Sequence, residues 1–123
     1  MRTHQDTCTV SADAPLGFVD ITEDVQRVVE ACSVIQGRVT VLRSDDGCAL
    51  VLNERERGLY ADVQAAIERL ASADGGAAPR IGSASVVLPV VNGRLHLGIW
   101  QRVLMLELDV PRRRRMLVQV VGE

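Results

Sequence analysis

The stretch "SVVLPVVNGRLHLGIWQRVLMLELDVPRRRRMLVQVV", Ser85–Val121, decides the fold. Ser85–Val91 is short, apolar and β-branched, which predicts a strand. Asn92-Gly93 follows, the strongest hairpin signal in the chain, because both residue types tolerate the positive φ of a tight turn. Arg94–Leu97 returns from it. Ile99–Asp109 then predicts a long strand, Val110-Pro111 a turn, and Arg115–Val121 a strand running back. Consecutive hairpins of this kind argue for an α+β fold with a mostly antiparallel sheet, not for a βαβ series.

Upstream, Thr7–Val10 alternates weakly and predicts a first strand; Phe18–Ile21 predicts a short second one. Asp20 or Thr22 caps a helix, and Glu23 and Asp24 suit the positive end of its dipole. Val25, Val28, Val29 and Cys32 fall on one face of it, and Gly37 is read as its end. Arg38–Leu42 and Cys48–Leu52 predict two further strands. Leu59, Val63, Ala66, Ile67 and Leu70 predict a second amphipathic helix, and Ala73–Pro79 a loop. The length of 123 residues fits one domain, 1–123.

Composition narrows the function classes. The chain is 47% hydrophobic and 24% charged but only 2% aromatic, so its core is aliphatic. Base-stacking platforms for single-stranded nucleic acid are hard to build from so few rings. A net charge of −2 gives no pull toward nucleic acid or an anionic membrane. All fourteen basic residues are arginine, which excludes Schiff-base and P-loop lysines. Cys8, Cys32 and Cys48 form no C-x-x-C pair and read as reduced thiols of a cytoplasmic protein. No apolar run approaches the ~18 residues of a membrane span.

The chemistry inventory is thin. His4 is placed in a mobile end and His96 on the polar side of a hairpin strand. Ser83 and Ser85 have no base nearby in sequence, and Cys48 has no adjacent histidine. No phosphate loop, dinucleotide fingerprint or triad signature appears. Arg112–Arg115 reads as a solvated strand start that an acidic partner or a phosphate would find. Between Val39–Leu42 and Cys48–Leu52 stands the charged knot Arg43-Ser44-Asp45-Asp46, whose Asp46-Gly47 is also a plain turn signal.

Several blocks together resemble the YjbQ-like family, often labelled secondary thiamine-phosphate synthase. They are Pro89-Val90, Gly93-Arg94-Leu95, Leu97-Gly98-Ile99-Trp100-Gln101, Glu107-Leu108-Asp109, Arg112–Arg115 and Val121-Gly122-Glu123. Asp20-Ile21-Thr22 and Leu52-Asn53-Glu54 resemble the family's helix start and its Ile-Asn-Glu. The resemblance implies an α+β homotrimer. It also implies a metal site of three histidines, one of them eight or nine positions before the Asn-Glu pair. Here Asp45 stands at that position and Cys48 at a following alanine. The segment that carries the other two is cut to "ASADGGAAPRIGSASVV", without histidine, and Arg55-Glu56-Arg57-Gly58 replaces the family's Asn-x-Asp-Pro.

Three readings follow. The first is a divergent member without the metal site and without a cofactor, its small-molecule ligand unassigned, with Asn53, Trp100 and Gln101 lining a ligand pocket. The second is a weak thiamine-phosphate synthase-type enzyme using Asp45, Asp46 and Glu54 with magnesium. The third is a binding or assembly protein acting through Arg112–Arg115. Trp100 is expected to be buried as a core anchor, Asp45 to face solvent near Arg43, and Asp46 to bind backbone amides of its own turn.

Overall fold

The computed structural model describes residues 1–73 and 82–123. Its elements run β1 (Arg2–Val10), β2 (Phe18–Asp20), α1 (Thr22–Ala31), β3 (Gln36–Arg43), β4 (Cys48–Asn53), α2 (Arg57–Ala73), β5 (Ser85–Val91), β6 (Arg94–Leu95), β7 (Arg102–Glu107) and β8 (Arg114–Gly122). The fold is α+β, and every strand pairing is antiparallel. Apart from Ala73, which ends α2, the loop read at Ala73–Pro79 lies outside the described residues.

The strands form two sheets, ordered β1-β8-β3-β5-β6 and β2-β7-β4. This corrects the hairpin reading at one point: β7 and β8 follow each other in sequence but do not pair. β8 runs between β1 and β3, while β7 sits between β2 and β4. The cause is visible in β7. Val103, Leu104, Met105 and Leu106 are all buried, so the strand is covered on both faces. Val103 and Met105 pack toward the larger sheet within the main core, and Leu104 and Leu106 point the other way, toward α2.

That main core is aliphatic. Val39 and Val41 of β3, Leu88 and Val90 of β5, and Met116, Val118 and Val120 of β8 supply one wall. Val25, Val28 and Val29 of α1 and Leu50 of β4 pack on it. The opposite face of the five-stranded sheet carries Leu42 and Val87, both exposed.

Local chemistry explains most boundaries. The Asp20 carboxylate accepts from the Thr22 amide at 3.0 Å and the Thr22 hydroxyl at 2.7 Å just ahead of α1, but the N-cap itself is Ile21, which makes no side-chain cap bond, so neither Asp20 nor Thr22 is the expected cap. The helix ends at Ala31 rather than at Gly37, and Ser33 with φ 60° turns the chain away. Gly37 lies inside β3, because a β-carbon there would sit 2.1 Å from the Val121 carbonyl oxygen. Asn92 and Gly93 have φ 53° and 76°, as the tight hairpin requires. His4 belongs to β1, not to a loose end, and its Nε2 is buried without a hydrogen-bond partner among the described residues.

Candidate functional site

Strand β4 separates the charged residues into two groups. Asp45 and Asp46 precede its first residue, Cys48, and Glu54 follows its last, Asn53. Six residues of strand span roughly 17 Å. Within one chain, Asp45, Asp46 and Glu54 therefore do not share one ion. Among the described residues no three histidine, cysteine or carboxylate groups gather as a metal cage would.

At the Asp45 end the decisive residues come from elsewhere. Arg114 shares the inward face of β8 with Met116, Val118 and Val120, so it is buried rather than solvated. Its Nε and Nη2 donate to the Glu107 carboxylate at 2.9 and 2.6 Å. Nη2 also reaches the Gly47 carbonyl at 3.3 Å, and Nη1 lies 3.7 Å from Asp45 Oδ2. Glu107 is fully buried at the end of β7. The two-pronged arginine–carboxylate geometry is the strong form of such a pair, and its bond to Glu107 holds the Arg114 guanidinium still more firmly protonated than usual.

Two expectations for the knot are corrected here. Asp45 is only partly exposed and faces Arg114, not Arg43. Arg43 instead donates to the Cys48 carbonyl at 2.5 Å and stands 4.0 Å from Asp46. Asp46 is 88% exposed and is held by no backbone amide of its turn among the described residues. Cys48 is buried beside this cluster, and burial pushes its thiol up.

At the other end, Glu54, Arg55, Glu56, Ile99, Trp100 and Arg102 line an open groove of about 560 Å³. Trp100 is 71% exposed and Ile99 89%, which corrects the reading of Trp100 as a core anchor. The reason is local. Gln101 closes a tight turn on Gly98: its amide donates to the Gly98 carbonyl at 3.0 Å, and its Oε1 accepts from the Gly98 amide at 2.7 Å. Ile99 and Trp100 form the tip of that turn, and β7 begins only at Arg102. Gln101 thus shapes the turn that presents the indole.

Arg102 anchors the groove floor. Its Nε donates to Asp20 at 2.7 Å and its Nη2 to Glu23 at 3.0 Å, and Arg55 stands 3.4 Å from the same Asp20 oxygen. Burial raises the Asp20 carboxyl, but the bonds from Thr22 and Arg102 outweigh it and hold the group below the ordinary carboxylate range. Glu56 caps α2, accepting from the Gly58 and Leu59 amides at 2.8 Å each, which lowers its carboxyl too. Asn53 Oδ1 accepts from the Glu54 amide at 2.9 Å, and the residue borders a separate apolar pocket under α2. Sequence reasoning missed Glu107, Arg114 and Arg102. The signal for Arg114 was its even spacing from Met116, Val118 and Val120. Glu107 likewise keeps step with Val103 and Met105.

Comparison with known proteins follows the fold and these blocks. The sequence profile described as UPF0047 protein YjbQ-like matches residues 6–123. A UPF0047 protein of Archaeoglobus fulgidus is 39% identical over 117 residues, covering 85% of this chain and 90% of that protein. A crystal structure of a YbjQ-like protein from Sulfolobus solfataricus P2 superposes with a TM-score of 0.87 at 31% identity, over 99% of both chains. One of a protein from Aeropyrum pernix K1 gives 0.87 at 29%, over 98% of this chain and 99% of that one. With nearly its whole length matched, the chain belongs to the YjbQ-like UPF0047 family.

Proposed function

We propose that this protein is a homotrimeric family member that keeps the scaffold, lacks the histidine metal site, and acts by binding rather than by metal-assisted catalysis. One observation carries the reading. Asp45, at the position the resemblance gives to a metal histidine, faces the buried guanidinium of Arg114 at 3.7 Å. Though paired with Glu107, Arg114 still offers Asp45 a cationic partner through Nη1, and a metal ion at Asp45 would have to displace that contact. The separation of Asp45 and Asp46 from Glu54 along β4 argues in the same direction, against magnesium-assisted thiamine-phosphate synthase-type chemistry on these carboxylates.

The trimer is supported by apolar surface that a single chain leaves bare, at Ile99 and Trp100 and at Leu42 and Val87. Interfaces between identical subunits are more apolar than ordinary surface. The three cysteines are free thiols, which suits a cytoplasmic protein. No described helix is long and apolar enough to cross a membrane. Of the arginine run, Arg112, Arg113 and Arg115 are exposed and free of the core, so they form the edge that a charged partner would meet.

Elemental analysis and light scattering on the purified protein test this. The expected result is a trimer with well under one zinc, manganese or magnesium ion per chain. One tightly held divalent ion per chain, lost in Asp45→Ala, overturns the metal part of the reading; a monomer at micromolar concentration overturns the trimer.

A further inference from the structure

Helix α2 meets the three-stranded sheet unevenly. Ile67 is fully buried, whereas Leu59, Tyr60 and Val63, nearer the helix start, stay half-buried. The space they leave is a pocket of about 220 Å³ floored by Leu104 and Leu106 of β7 and Val51 of β4. Phe18 stacks on Tyr60 with ring centroids 4.4 Å apart and walls one side. Asn53 and Tyr60 border it largely with carbon, so the lining is almost wholly apolar. Among the described residues no charged side chain lines the pocket.

We propose that this pocket binds a small uncharged molecule, one aromatic ring or a short aliphatic group. Size fits the class: an apolar cavity of about 150 Å³ accepts benzene, so this one admits a ring with a substituent. Lining fits it as well. Small-molecule pockets are walled mostly by apolar and aromatic side chains, as this one is by Phe18, Val51, Val63, Leu104 and Leu106. A charged ligand would lose its hydration with no countercharge to replace it.

The inference goes beyond the reading above and does not depend on it. The pocket lies on the α2 side of β7, while Glu107 alternates to the other side with Met105 and Val103. A metal in the protein would leave it standing.

Isothermal titration with p-cresol, beside benzoate at neutral pH, tests it. One p-cresol per chain is expected, with benzoate at least tenfold weaker. Val63→Phe, which fills the pocket, should weaken p-cresol at least tenfold, while Leu70→Phe, at an exposed position of the same helix, should leave it unchanged. Methyl NMR of the unsubstituted protein decides the matter should Val63→Phe fail to fold: the Leu104, Leu106 and Val63 methyls should shift on titration. No binding at millimolar p-cresol, unmoved methyls, benzoate binding as tightly, or a folded Val63→Phe that binds normally would each overturn the proposal.

Discussion

Glu107 and Arg114 meet in the gap between the two sheets, with Arg114 Nη2 2.6 Å from Glu107 Oε2. Glu107 ends β7 of the smaller sheet and Arg114 begins β8 of the larger one. The pair therefore adds a polar tie between two sheets that the aliphatic core also packs together.

Glu107→Ala should be severely destabilising, by roughly 3–5 kcal/mol, because it strands a buried guanidinium. The double variant Glu107→Leu/Arg114→Met should recover much of that loss, since a buried ion pair gains little over apolar packing of similar volume. Urea denaturation of Glu107→Leu, Arg114→Met and the double closes the cycle. A Glu107→Ala protein as stable as the parent would show that the pair does not bear on folding.

Trp100→Ala should change the stability of the isolated chain by no more than about 0.5 kcal/mol, as exposed substitutions usually do. Its effect belongs on assembly: light scattering should show a weaker trimer. The indole emission of the parent should move toward that of free indole on dilution. A loss of several kcal/mol in a monomeric background would restore the indole to the core.

Gln101→Ala removes the acceptor that holds the Gly98 amide at 2.7 Å. The expected loss is about 1 kcal/mol, the usual net worth of one such bond. Trp100 fluorescence anisotropy should fall with it, because the turn that carries the indole loosens.

Asp20 gives the pH prediction. Its carboxyl is held below the ordinary range in the folded protein. The stability it contributes is therefore full above the unfolded value, about 3.9, and is lost as pH falls through the lower folded value. Acid unfolding curves should fall more steeply below about pH 4 for the parent than for Asp20→Asn. Parallel curves would show that the Thr22 and Arg102 bonds do not stabilise the ionised form.

Strand and helix positions were legible because they rest on local rules. The Asn92-Gly93 turn and the start of α1 beside Asp20 each declare themselves within a few residues, as does the Leu59–Leu70 stripe, of which only Leu70 turns out exposed. The division into two sheets was not legible, because a run such as Val103–Leu106 looks alike whether its neighbour in sequence pairs with it or not. Only burial on both faces distinguishes the cases. The ion pair hid for a related reason. Arg114 sits among four consecutive arginines, and charge invites a solvated reading unless the face-by-face alternation is counted through Met116 and Val118. Trp100 was misplaced because ring size argued for burial, while the Gly98–Gln101 turn, a matter of backbone geometry, sets it at a tip.

The pairing of β1 with β8, from Arg2 opposite Gly122 to Val10 opposite Arg114, has a consequence for biosynthesis. Of the described strands, the earliest in sequence finds its hydrogen-bonding neighbour in the latest. Until β8 has emerged, β1 has no strand to pair with, and the larger sheet lacks the strand that joins β1 to β3. Contacts of such long sequence separation form slowly. A chain truncated before Arg114 should therefore leave β1 unpaired and the larger sheet unclosed, open to proteases and to stray strands alike.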